Sequence, residues 1–267
     1  MISKIPEYVE NVPMLHKFLF LAAVALAVPG AALAAPSTDA CVNCHQNPDF
    51  MVTNKKLYDY FQQWRASTHG QEDVSCSDCH GGNPKLTDKG AAHASIPGGG
   101  LGSVRFQNIP KTCGSCHTEL YNAYTKSKHF KHLVKKQEED QGPNCVTCHG
   151  SLNAKALNVN TVRNTCIKCH NPKTDNHPDI PLKAEGLLND LNTIRAYNRF
   201  IGIRGDAATV AEAKKTLDPR VRSLAQTWHS FDLAKIEGEM AAVLKMAKER
   251  RDALPKMGHA SQVTTTP

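Results

Sequence analysis

The chain has 267 residues, with Gly 17, Pro 15 and only 6% aromatic residues, enough for one or two ordinary domains. So few aromatics and so many chain-breaking residues exclude a large core built from protein side chains along the whole length. A formal charge of +7 at pH 7 would fit nucleic acid or an anionic membrane surface, but that reading does not survive the cysteine pattern.

The first element is an apolar run, Phe18 to Val28 (FLFLAAVALAV), with Lys17 before it and Pro29-Gly30 after it. Ala32-Leu33-Ala34 then forms a small-residue cleavage site ahead of Ala35. The run is too short for the roughly 20 residues that span a bilayer. Residues 1–34 are therefore expected to be a signal peptide that sends the chain to the periplasm or beyond. An uncleaved N-terminal segment is the one way in which it would stay on a membrane.

From residue 41 the cysteines organise the sequence. All ten fall into five C-x-x-C pairs, each followed at once by histidine: Cys41/Cys44/His45, Cys76/Cys79/His80, Cys113/Cys116/His117, Cys145/Cys148/His149 and Cys166/Cys169/His170. C-x-x-C-H is the attachment signature of c-type haem: two thiols add across the vinyl groups and the histidine binds the iron on its proximal side. Redox C-x-x-C sites and zinc sites do not need a histidine at that position. Five covalently bound haems c are expected. The motifs occupy about 130 residues, roughly 26 per haem, too short a segment to close a hydrophobic core, so the haems should form the core and the apoprotein of this region should not fold. The haem propionates also shift the charge by about −5 to −10, which removes the case for nucleic acid.

The motif region contains an internal repeat. One unit runs CVNCH, Trp64-x-x-Ser67-x-His69, CSDCH-Gly81; the next runs CGSCH, Tyr124-x-x-Ser127-x-His129, CVTCH-Gly150. CIKCH opens a third unit that stops. Repetition of one small unit implies a linear array of stacked cofactors. Apolar residues at three- and four-residue steps predict helices over Leu57–Ser67 and Glu119–Lys128, with loops between. Residues 181–255 lack cysteine and read as amphipathic helices, with one stripe at Leu187, Leu191, Ile194, Tyr197 and Ile201 and another at Leu233, Ile236, Met240, Val243/Leu244 and Ala247. Asp218-Pro219 is expected to cap and open a helix, and Trp228-His229 to lie near the last one. The expected fold is mainly α with extensive loops and little or no β. It comprises a haem-packed module (35–180), a C-terminal helical module (181–255) and a flexible tail (256–267).

The alternation of C-x-x-C-H, aromatic-x-x-Ser-x-His and C-x-x-C-H-Gly resembles the periplasmic multihaem electron carriers, in particular the pentahaem donors to nitrite reductase and the decahaem cytochromes of outer-membrane conduits. The resemblance covers about residues 41–177. It implies that His69 and His129, in the Ser-x-His element, are distal iron ligands, and likewise His93, thirteen residues after His80. The second unit departs from the pattern, because 151–165 contains no histidine. Imidazole is a leading haem ligand, so His132, His177 and His229 are further distal candidates, and His259 lies in the tail. Closed, bis-histidine haems carry electrons and bind nothing else, which favours an electron carrier in anaerobic or extracellular respiration. Its expected partners are redox proteins, such as a quinol-oxidising membrane cytochrome or a terminal reductase. Two other readings stand. One is an oxidoreductase with one open haem acting on nitrite, hydroxylamine or a sulfur oxyanion. The other is a structural subunit of a cytochrome filament or membrane redox complex.

Overall fold

A computed structural model describes residues 38–94, 102–135, 142–174 and 176–255. The expected signal peptide (1–34), the tail (256–267) and His259 lie outside the described residues. Within them the chain forms fifteen α-helices and no strand, in agreement with the mainly α expectation.

Each of the first four haem-attachment motifs sits on or beside a helix of seven residues or fewer: α1 (Ala40–His45), α5 (Cys76–His80), α7 (Ile109–Gly114) and α10 (Cys145–His149). Local capping fixes them. Asp39 accepts from the backbone N–H of Cys41 at 2.7 Å and caps α1. Ser75 with Asp78 and Asn144 with Thr147 make reciprocal capping boxes at α5 and α10. Both of these helices end on the glycine that the repeat marks, Gly81 (φ 78°) and Gly150 (φ 79°), a backbone geometry that a side chain would strain. The Ser75 hydroxyl also donates to Asp39 at 2.8 Å, joining the first two motifs.

The helix predicted over Leu57–Ser67 is α3 (Lys55–Arg65), and α4 (Thr68–Gln71) follows it; the one predicted over Glu119–Lys128 ends early, as α8 (Thr118–Tyr124), and Lys128 opens α9 (Lys128–Val134). Ser67 and Ser127 adopt extended backbone, accept from the N–H groups of Gly70 and Phe130 at 3.1 Å, and so start new helices. These short helices carry His69 and His129.

The C-terminal helices are α12 (Ile180–Arg204), α13 (Ala207–Thr216), α14 (Asp218–His229) and α15 (Leu233–Asp252). They share one apolar core in which Ile194, Ile201, Leu217 and Ala247 are fully buried. Both predicted stripes face it, with Tyr197, Leu233 and Leu244 at its margin. The core also takes in Val162 of α11 (Val159–Cys166), with Cys166 packed against it, so the fifth motif is rooted in protein packing. Pro219 sits in the first turn of α14 as expected, but Asp218 does not cap it: its carboxylate accepts from the Asn198 amide of α12 at 2.7 Å, and the cap position is Leu217.

Candidate cofactor-binding site

Consecutive motifs are neighbours in space. Burial and then Asp39 raise the Cys76 thiol pKa to about 11, and Cys41, raised to the same value, feels Cys76. Cys79 is pushed up by burial and by the adjacent Cys113, with Asp78 and Cys116 adding. The Cys113 thiol donates to the Cys145 sulfur, raising its own pKa and lowering that of Cys145. Burial, with Cys166 and Cys169 alongside, lifts Cys148 to about 11. The motifs thus follow one another in chain order. Among the described residues no three His, Cys, Asp or Glu side chains converge as a bare-ion site.

Four histidine pairs lie along this line. His45 faces His93 with ring centroids 6.4 Å apart, His69 faces His117 at 6.2 Å, His129 faces His170 at 6.1 Å, and His149 stacks with His229 at 5.9 Å. Each pair contains one motif histidine. Two imidazoles on opposite sides of one metal, with bonds of about 2.0 Å and ring centres roughly 1.2 Å behind each nitrogen, have centroids roughly 6.4 Å apart. The pairs fit an iron between them.

Ring tautomers fit as well. The Nδ1–H groups of His93, His149, His170 and His229 reach the carbonyls of Lys89, Lys155, Asn176 and Ala225 at 2.7, 2.8, 2.7 and 2.6 Å. With the proton on Nδ1, Nε2 keeps its lone pair for a metal. Burial, then His170, then His132, lower the His129 pKa to about 4 and hold it neutral. Burial also lowers His229, against its bond to Ala225, with His149 and His117 adding, and lowers His45, with His93 and His80 adding. His129 Nδ1 is buried without a hydrogen-bond partner. Phe231 stands against its ring, edge-on at 4.4 Å.

The aromatic residue of the repeat has a matching role in both units. Trp64 Nε1–H donates to the Val74 carbonyl at 3.1 Å, and Tyr124 O–H donates to the Pro143 carbonyl at 2.5 Å. Each acceptor lies two residues before the next motif's first cysteine, so the aromatic ties the Ser-x-His turn to the following motif. The sequence displayed these aromatics but not their partners, and Phe231, whose φ of 52° turns the chain after α14, carried no signal in the sequence. His132 and His177 are exposed and lie in none of the four pairs. His80 likewise has no imidazole facing it among the described residues.

Residues 103–171 match the family model described as cytochrome c7 and related cytochrome c. This stretch is a cytochrome c7-like, multihaem c-type cytochrome domain. A match to this family implies covalently bound haem c and electron transfer. No solved structure matches the chain. The c7-like domain contains the motifs at Cys113, Cys145 and Cys166, and two of its three motif histidines are faced from outside it. His69 comes from the preceding unit and His229 from the end of α14. The α14 helix also packs on α8 of the domain, where the Gln226 amide donates to Glu119.

Proposed function

We propose that the chain is an exported pentahaem c-type cytochrome that carries electrons between redox partners. The observation that supports it best is the set of four histidine pairs strung along consecutive C-x-x-C-H motifs. In this reading Cys41 and Cys44, Cys76 and Cys79, Cys113 and Cys116, Cys145 and Cys148, and Cys166 and Cys169 hold five haems. His45, His80, His117, His149 and His170 are the proximal ligands, opposed by His93 at His45, His69 at His117, His229 at His149 and His129 at His170.

The haems, when bound, supply one-electron ferric–ferrous chemistry. The protein's residues set the conditions. The carbonyls of Lys89, Lys155, Asn176 and Ala225 orient the imidazoles and raise their basicity, which favours the ferric state. Each cysteine pair would fix one cofactor to the chain beside its proximal histidine. Ser-x-His turns cross from one unit to the next, so that His69 and His129 lock adjacent units in register. Phe231 packs edge-on against the His129 ring, and His229 at the end of α14 faces His149. The run Phe18–Val28 with Ala32-Leu33-Ala34 would direct the chain outside the cytoplasm, where its partners would be other redox proteins.

Intact-mass analysis of the protein made with a c-type haem-attachment apparatus tests the reading. The expected mass is that of the chain after Ala34 plus five haems. Four or fewer in a uniformly matured sample would contradict it.

A further inference from the structure

The four pairs account for His93, His69, His229 and His129, and so leave His80 as the motif histidine that no described imidazole faces. Its motif lies between the first and the third: the Ser75 hydroxyl before it donates to Asp39 of the first at 2.8 Å, and the Cys79 carbonyl accepts from Ser103 at 2.7 Å, whose own carbonyl accepts from the Thr112 hydroxyl of α7 at 2.5 Å. The nearest following histidine in the sequence, His93, is committed elsewhere. Asp88 caps its helix, α6 (Lys89–His93), through the Ala91 N–H at 2.8 Å. The Asn83 N–H ties the loop after the motif to the Ala92 carbonyl at 2.9 Å, and the Lys89 carbonyl holds the His93 ring turned to His45. The other described histidines lie at the far end of the array. His132 adjoins His129, and His177 follows Asn176, whose carbonyl holds His170. Met51, a thioether that could ligate iron, belongs to the short helix Phe50–Thr53, whose Phe50 packs on His45, and it is exposed.

We propose that the haem held by Cys76, Cys79 and His80 keeps an exchangeable sixth position that takes a small neutral or anionic nitrogen- or oxygen-donor ligand. The proposal rests on the five-haem reading above. Placed between the sites of His45 and His117, this position can receive electrons from either side. It also names the residue set behind the oxidoreductase reading of the sequence.

The test uses the intact holoprotein, with haem number first established by mass so that failure of the five-haem reading is seen separately. Carbon monoxide is titrated into the dithionite-reduced protein and its uptake read from the Soret change. One carbon monoxide per chain is expected, together with one high-spin iron in five in the oxidised electron paramagnetic resonance spectrum. Single variants His93→Ala, His69→Ala, His229→Ala and His129→Ala should each raise uptake from one to two per chain. A five-haem protein that takes up none, or that shows five low-spin irons, overturns the proposal. A histidine variant whose uptake stays at one overturns it too, because the open position is then at that variant's own haem.

Discussion

Among the described residues, and leaving prolines aside, the chain buries four apolar side chains between Ala40 and Leu133 (Ala40, Phe61, Tyr124 and Leu133), whereas between Val162 and Ala247 it buries fourteen. Both stretches are helical, yet they are held by different means. The first is made of helices of one to three turns, too short to be stable in water alone, pinned by caps, by two aromatic-to-carbonyl bonds and, in the proposed reading, by the side chains that would hold haem. In the second, long helices share a core of the ordinary kind. On the five-haem reading, the comparison teaches that a chain can dispense with its own core where a rigid cofactor recurs about every 26 residues, and that the border falls at the fifth motif, where Val162 joins the apolar cluster and Cys166 packs against it.

Removing the cofactors should break the comparison most sharply. Protein produced without haem attachment should lose residues 38–156 to limited proteolysis while retaining a resistant fragment from about residue 157 to 255, identified by mass. Ile194→Ala, in the protein core, should cost about 2–5 kcal/mol in thermal unfolding and leave the visible spectrum unchanged, since Ile194 is fully buried among aliphatic neighbours. His229→Ala should do the reverse: it turns one low-spin haem high-spin with the haem still attached and shifts unfolding little. Ser127→Ala removes the cap that starts the His129 helix and should cost about 1 kcal/mol, read in the same melts. Trp64→Phe keeps the ring and loses the bond to Val74, for about 0.5–1.5 kcal/mol.

Much of this was legible in the sequence. C-x-x-C-H is a chemical signature independent of fold, and the helical stripes from Leu187 onward follow from periodicity. The roles of Ser67 and Ser127 as caps of the next helices were not, because a serine at or near the end of a periodic run reads equally as a helical residue and as a cap. Asp218 before Pro219 carries the marks of an N-cap, and only the tertiary approach of Asn198 reassigns its carboxylate. The pairing of histidines was the least legible. His69 with His117 and His149 with His229 are separated by stretches whose course depends on long-range packing, and no spacing rule encodes which motif a given imidazole meets.

The central claim is that four histidine pairs each close one iron. Near-infrared magnetic circular dichroism of the oxidised holoprotein, normalised to haem content, counts bis-histidine haems directly. We predict four per chain. Five would overturn the exchangeable position at His80 and leave the carrier intact, whereas three or fewer would contradict the pairing on which the account stands.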